Sequence, residues 1–137
     1  MAIIMLTGNE SKGKTSSLHF VHEILVTGGG KSTAVNNVGS PNYRDFSDIV
    51  EYNNKRIAIF TAGDIPDHLK KTISLYETKQ PDFLICACNN KLNEFFKDAT
   101  HRIEKTLGSD LQSMIAANWY DAWRIIAKLE DCLKVGT

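Results

Sequence analysis

The feature that most constrains this chain is a glycine loop near its amino end, set between an apolar run and a helical pattern. Gly8–Thr15 has the sequence GNESKGKT and fits the pattern G-x-x-x-x-G-K-[ST] at every fixed position. The unbroken apolar run Ala2–Leu6 before it predicts a short buried parallel strand, and residues 16–26 after it predict a helix. Glycines let backbone N–H groups turn inward around an anion, and a helix start adds unpaired donors. The sequence therefore predicts a phosphate site.

The loop also supplies the side chains that a bound triphosphate would need. We expect Lys14 to reach the β- and γ-phosphates and the Thr15 hydroxyl to bind Mg²⁺. A competing interpretation is a glycine- and lysine-rich turn that binds nothing, which accounts less well for the apolar strand before it. The candidate nucleotide-binding residues are Gly8, Asn9, Glu10, Ser11, Lys12, Gly13, Lys14, Thr15 and Ser16.

The segment Ala2–Val26 resembles the opening strand–loop–helix unit of the P-loop NTPase superfamily. That resemblance implies an α/β sandwich that binds a nucleoside triphosphate together with Mg²⁺. We expect a three-layer α/β fold with a mostly parallel sheet of four or five strands, one antiparallel hairpin strand and an additional C-terminal helix. ATP is the expected nucleotide, and GTP is the alternative.

Composition limits the other classes of function. The chain has 137 residues, which fits a single domain spanning 1–137. Its 16 basic and 16 acidic residues balance, so binding to nucleic acid or to an anionic membrane is not indicated. No apolar run approaches the roughly 20 residues needed to cross a bilayer, and we expect no signal peptide.

The cysteine content indicates a reducing compartment. The three cysteines, Cys86, Cys88 and Cys132, are odd in number and form no CxxC pair. Cys86 and Cys88 share one face of a predicted strand, where we expect small buried core residues rather than metal ligands. We therefore expect a cytoplasmic protein with free thiols.

Downstream patterns predict an antiparallel hairpin and further helices and strands. The strand-like runs 48–52 and 56–61 flank turn residues 53–55, which is typical of a hairpin. Pro66 suits the first turn of the next helix, and Phe83–Cys88 is a fully apolar strand.

The C-terminal third predicts two more helices, and the segment 32–38 carries only a weak strand signal. The first helix starts after residues 89–90, has an apolar stripe over 92–103 and ends at Gly108. Ser109 with Gln112 then forms a capping box for a last amphipathic helix.

The acid that should hold Mg²⁺ is not at the place where the superfamily usually carries it. Phosphoryl transfer requires an acid that holds the metal and a group that orients the nucleophile. The acid usually closes a second apolar strand, but here that strand ends Ile59-Phe60-Thr61. Asp64 follows shortly after, and we assign it a catalytic and metal-binding role beside Lys14 and Thr15. The alternative is that Asp64 caps the helix that begins at Pro66.

Glu10 places a carboxylate inside the predicted phosphate loop. Like charge near a triphosphate is unfavourable, which favours a side chain that points outward. Gly8-Asn9-Glu10 also resembles the phosphate loop of thymidylate kinases, in which an acid at this position contacts the acceptor nucleotide. The chain is short for such a kinase and has no recognisable arginine-rich lid.

A second resemblance covers the middle of the chain. The hairpin, Thr61-Ala62-Gly63 and the strand followed by Asn89-Asn90 are similar to the middle of Ras-like small GTPases, which implies a GTP-binding switch. Three residues depart from that family. Phe60 stands in place of its aspartate, Asp64 in place of its water-orienting glutamine, and Asn93 in place of the aspartate that pairs with guanine.

Three functions therefore stay open. The expected one is Mg²⁺-dependent binding of ATP with slow hydrolysis or phosphoryl transfer. The alternatives are a small nucleotide or metabolite kinase and a non-catalytic switch or interaction module. In the last case Trp119, Tyr120 and Trp123 form the natural surface for a protein partner or a second copy, although their helical spacing also suits ordinary packing.

Overall fold

A mixed β-sheet with helices on both faces is built from the residues that the computed structural model describes, which are 1–9, 13–37, 45–63 and 66–135. The strands are β1 (Ala2–Gly8), β2 (Lys31–Ser32), β3 (Asn36–Asn37), β4 (Phe46–Tyr52), β5 (Lys55–Phe60), β6 (Phe83–Asn89) and β7 (His101–Glu104). The α-helices are α1 (Lys14–Thr27), α2 (Pro66–Lys79) and α3 (Leu111–Val135), and Asn90–Asp98 forms a 3-10 segment.

The long strands of the sheet follow the order β4-β5-β6-β1-β7. β5, β6, β1 and β7 are parallel, and β4 is antiparallel to β5. The two-residue strands β2 and β3 both pair with β4. The predicted α/β class is confirmed, with one long antiparallel strand, and the segment expected to hold one weak strand contains two very short ones.

Alternation along the central strand separates two hydrophobic cores. Ile4 and Leu6 of β1 lie in the core that α1 and α3 cover, whereas Ile3 and Met5 lie in the core that α2 covers. β6 alternates in the same way, and its side chains are buried along the whole strand. A strand buried on both faces needs apolar residues at every position, which is why β1 and β6 are continuous apolar runs.

The predicted β4–β5 hairpin is present, but its turn is one residue shorter than expected. Asn53 and Asn54 connect the strands, with φ angles of 51° and 63°. Positive φ at both central residues belongs to the type I′ turn, which matches the twist of antiparallel strands and which asparagine tolerates. Lys55, expected in the turn, instead begins β5.

The segment 90–108 is not the predicted helix. It forms 3-10 turns up to Asp98 and then strand β7, which pairs in parallel with β1. The Thr100 amide donates to the Ile3 carbonyl at 2.8 Å, and the Ile3 amide donates to Thr100 Oγ1 at 3.0 Å. The second edge of buried β1 needs backbone partners, and this requirement outweighs the local helical spacing. Ile103 still reaches the core, but from a strand.

The start of α3 is capped one residue later than predicted. Asp110, rather than Ser109, accepts a hydrogen bond from the Ser113 amide, at 2.7 Å through Oδ1. Ser113 Oγ in turn accepts from the amides of Ser109 and Asp110. The reciprocal cap therefore joins Asp110 and Ser113 in place of the predicted pair of Ser109 and Gln112.

Candidate functional site

Two glycines shape the loop between β1 and α1, for different reasons. Gly13 has a φ of 88°, in the left-handed region that favours glycine, directly before α1. A Cβ at Gly13 would also overlap the side-chain oxygen of Asn118 in α3. At Gly8, a Cβ would lie 2.9 Å from the Cβ of Lys105. The two ends of the loop are thus packed against α3 and against the residue that follows β7.

The predicted loop residues fall into a described and an undescribed group. Gly8 and Asn9 stand at the carboxyl end of β1, and residues 13–16 stand at the start of α1. Residues 10–12 lie outside the described residues, and so does Asp64. The roles expected of Glu10, Ser11, Lys12 and Asp64 therefore stay predictions.

Lys14 is buried in the first turn of α1. Its side chain is only 4% exposed, and Nζ donates to the carbonyl oxygen of Asn9 at 2.7 Å. The ammonium therefore reaches back across the loop to the end of β1. Asn9 also accepts a hydrogen bond at Oδ1 from Asn90 Nδ2, at 3.3 Å. Two polar side chains from neighbouring strand ends thus meet beside the loop.

Thr15, the predicted metal ligand, contacts Asp45, a carboxylate that belongs to no motif in the sequence. Thr15 Oγ1 donates to Asp45 Oδ1 at 3.3 Å, and Thr61 Oγ1 donates to the same oxygen at 2.8 Å. Asp45 directly precedes β4 and is half-buried. One carboxylate oxygen therefore joins the start of α1, the start of β4 and the residue after β5.

A signal for Asp45 was present in the sequence. The predicted hairpin places the amino end of its first strand beside the carboxyl end of its second. Extending the first strand back from Asp48 to Phe46 brings Phe46 opposite Thr61, where the Thr61 amide donates to the Phe46 carbonyl, and places Asp45 directly beside that pair. The strand was predicted to start at Asp48, too late for this inference.

The strand order separates the end of β5 from the strand that leads into the loop. β6 lies between β5 and β1, so β5 is two strands from β1, about 10 Å at the usual spacing. Of the two strands beside β1, β6 ends in Asn89 opposite Gly8, and β7 ends in Glu104 opposite Thr7. Asn89 Oδ1 accepts from the Lys91 amide at 2.9 Å and caps the 3-10 segment. Thr61 nevertheless comes close to Thr15, because α1 contacts β6, β5 and β4 as it crosses the sheet.

A buried ion pair holds α3 beside the loop. Lys105 Nζ donates to Asp121 Oδ2 at 2.8 Å, with both side chains almost fully buried, and Arg124 donates to Asp121 Oδ1 at 2.9 Å. The Lys105 amide also donates to the Thr7 carbonyl at 2.7 Å. Burial raises the pKa of Asp121, but hydrogen bonds from Lys105, Thr106 and Arg124 outweigh it and lower the pKa below its usual value. Asp121 is therefore a structural anion.

Contacts between α3 and α1 strengthen this attachment. Ser17 Oγ donates to the Asn118 carbonyl at 3.1 Å. The rings of Trp119 and Phe20 stack with centroids 3.8 Å apart. Tyr120 and Trp123 are more than half exposed, at 58% and 55%. Of the three aromatic residues considered as a partner surface, Trp119 is thus used for packing inside the molecule.

A second buried acid, Asp48, lies on β4 close to one of two histidines of α1. His22 Nε2 lies 2.7 Å from Asp48 Oδ2, and the Ser32 hydroxyl donates to the same oxygen at 2.5 Å. The Ala34 amide donates to Asp48 Oδ1 at 2.9 Å. His19 instead packs against the Phe46 ring. The two histidines therefore have different environments.

Metal ligands and similarity to other proteins give no further assignment. Among the described residues, no three His, Cys, Asp or Glu side chains form a group that could bind a metal by themselves. A cation beside Thr15 and Asp45 would need additional ligands, such as phosphate oxygens and water.

None of the helices in the described ranges has both the length and the apolar character for crossing a bilayer. No family model matches the sequence, and neither curated proteins nor solved structures match it significantly.

Proposed function

We propose that the chain belongs to the P-loop NTPase superfamily and binds a nucleoside triphosphate, ATP in the first place, together with Mg²⁺. The observation that carries this proposal is the position of Lys14. Lys14 is 4% exposed in the first turn of α1, directly after a left-handed glycine, and the loop that carries it follows a buried central strand. Nζ donates to the Asn9 carbonyl at 2.7 Å, so the ammonium lies at the carboxyl end of β1, beside the loop. A phosphate tail held by the loop would lie next to this ammonium.

The proposed roles follow from the chemistry of the described residues. The N–H groups at the start of α1 bind the phosphates, with support from the helix dipole. Lys14 neutralises charge on the β- and γ-phosphates, and the Thr15 hydroxyl is an oxygen ligand of the kind that Mg²⁺ prefers. The bound Mg²⁺ would neutralise part of the phosphate charge.

Turnover is proposed to be slow. Thr61 follows β5 and Asn89 ends β6, so neither strand presents a carboxylate at its end. An amide or a hydroxyl is a poor general base at neutral pH, and catalysis needs a group that orients the attacking water or acceptor. The same observation favours a second candidate function, a nucleotide-dependent switch with negligible hydrolysis.

A thermal-shift titration tests the binding proposal. ATP, GTP and their diphosphates are added with Mg²⁺ to the wild type, to Lys14→Ala and to Lys31→Ala. Lys31 is a matched control, because Gly30-Lys31-Ser32 repeats the end of the loop pattern on an exposed short strand. At a ligand concentration of 100 Kd, binding adds about 2.7 kcal/mol to the free energy of unfolding.

In the wild type and in Lys31→Ala, we expect ATP to raise the midpoint by roughly 10 °C for a chain of this size. Lys14→Ala should lose most of that rise. A rise with guanine nucleotides alone would move the assignment to GTP. No rise with any nucleotide would contradict the proposal. Phosphate release, measured with and without candidate acceptors, then separates an ATPase from a kinase and from a switch.

A further inference from the structure

We propose that Asp45, at the start of the antiparallel strand β4, supplies the carboxylate that holds Mg²⁺ beside Thr15 when nucleotide is bound. This inference rests on the proposed function. It assigns the acid to the neighbouring antiparallel strand, since Thr61 and Asn89 occupy the ends of β5 and β6. Thr61 is then a positioning residue that fixes the orientation of Asp45.

The hydrogen-bond directions allow Thr15 and Asp45 to act on one cation. Thr15 Oγ1 donates its proton to Asp45 Oδ1 at 3.3 Å. A hydroxyl that donates its proton keeps its lone pairs, so the same oxygen can bind a metal ion. Carboxylate and hydroxyl oxygens are hard ligands suited to Mg²⁺, which usually keeps several waters and takes one or two carboxylates. Asp45 can therefore hold the ion directly or through one of its waters.

Thr61 fixes the carboxylate in place. Its hydroxyl accepts from the Phe46 amide at 2.9 Å, and this bond directs the hydroxyl proton toward Asp45 Oδ1, 2.8 Å away. Thr61 is 2% exposed, so its own hydroxyl is buried, whereas Asp45 is half-buried. The hydroxyls of Thr15 and Thr61 both donate to the same oxygen, Oδ1.

The backbone next to Asp45 is anchored independently. Phe46 is buried, and its ring contacts His19 and His22 of α1, with centroids 4.5 Å and 5.2 Å away. The Thr61 amide donates to the Phe46 carbonyl at 3.2 Å. α1 and β5 therefore both fix the position of Asp45 relative to Thr15.

The negative charge of Asp45 should change nucleotide affinity in opposite directions with and without Mg²⁺. A carboxylate near a triphosphate repels it unless a cation lies between them. Asp45 should therefore weaken nucleotide binding without metal and strengthen it with Mg²⁺. A residue with a purely structural role would change both affinities in the same direction.

The test measures ATP affinity by calorimetry in EDTA and in excess Mg²⁺, for the wild type, Asp45→Asn and Glu51→Gln. Glu51 is a matched control, since it is an exposed acid at the opposite end of β4. We expect Asp45→Asn to bind metal-free ATP at least as tightly as the wild type. Its gain in affinity on adding Mg²⁺ should fall about 10- to 100-fold, as for other residues that support a metal. Glu51→Gln should keep the wild-type gain.

A metal readout and a second variant complete the test. The metal is followed by electron paramagnetic resonance, with Mn²⁺ and a non-hydrolysable ATP analogue. The signal of free Mn²⁺ should remain larger for Asp45→Asn than for the wild type. Thr61→Val should show a smaller loss of the same kind, and it decides the matter if Asp45→Asn does not fold. An unchanged gain in a folded variant would overturn the assignment of Asp45 while leaving the nucleotide site in place. Absence of any binding by the wild type would instead refute the proposed function.

Discussion

At the scale of single residues, glycine is favoured at two positions by its backbone conformation, and at one of them also by lack of space for a side chain. Gly13 combines a left-handed φ with the close approach of Asn118, whereas Gly29 has a φ of 102° and no heavy atom within 4 Å of an added Cβ. The two positions therefore separate the cost of backbone strain from the cost of overlap.

We expect Gly29→Ala to lower the free energy of unfolding by about 1–2 kcal/mol, the cost of the left-handed conformation. Gly13→Ala should cost a further 1–3 kcal/mol or so, because Asn118 must move. Urea denaturation measures both values. Adding Asn118→Ala to Gly13→Ala should recover part of the cost of overlap with Asn118 and none of the cost of the left-handed conformation. Equal costs for the two alanine variants would show that Asn118 does not restrict the loop.

Asp45 is a candidate site residue that no local sequence pattern indicates. The roles expected of Lys14 and Thr15 come from a local motif with its flanking strand and helix, because the motif combines residue types with a local backbone shape. Asp45 has no such local pattern. Its contact with Thr15 bridges separate elements, α1 and the start of β4, and no periodicity within either element reports it.

At the scale of elements, the C-terminal helix α3 packs against the residues that flank the loop. α3 carries Asn118 against Gly13, Trp119 against Phe20 and Asp121 against Lys105. Trp123, on the same helix, is 55% exposed. Trp119 and Trp123 should therefore contribute differently to the free energy of unfolding.

Trp119→Ala should lower the free energy of unfolding by about 2–4 kcal/mol, because it removes a stacked pair and much buried area. Trp123→Ala should change it by less than about 0.5 kcal/mol, as expected for a surface position. Chemical denaturation followed by far-UV circular dichroism measures both. A larger effect at Trp123 would indicate that its ring is covered in solution, which would support a partner or second copy at that surface.

At the scale of the whole molecule, two buried acids tie the sheet to its helices. Asp48 joins β4 to α1 through His22, and Asp121 joins the end of β7 to α3 through Lys105. Burial raises the pKa of Asp48, but hydrogen bonds from Ser32, His22 and the Ala34 amide lower it below its usual value. The pKa of Asp121 is lowered in the same manner.

Stability should therefore decline in acid. Because both folded-state pKa values lie below the unfolded value of about 3.9, the stabilisation is present above that pH and is lost as the pH falls below it. Each carboxylate contributes a slope of at most about 1.4 kcal/mol per pH unit. Asp48→Asn and Asp121→Asn should be less stable at pH 7 and show a shallower acid slope. Urea titrations from pH 7 to pH 2.5 measure the slope, and an unchanged slope would contradict the assignment.

The sequence by itself determined the elements whose causes are local. Glycine at a left-handed position and a β1 apolar run defined the loop and its strand, and two asparagines defined the hairpin turn. These features depend on the conformational preferences of neighbouring residues, which the sequence displays directly.

Only the tertiary structure decided which strands and side chains meet. It placed β6 between β5 and β1, recruited residues 101–104 as a strand along the other edge of β1, and brought Asp45 to Thr15. The reason is that the backbone of a buried strand must be paired along both edges by whatever segments the fold brings there. That requirement acts between residues far apart in the chain, and so it leaves no periodic pattern in the sequence of either one.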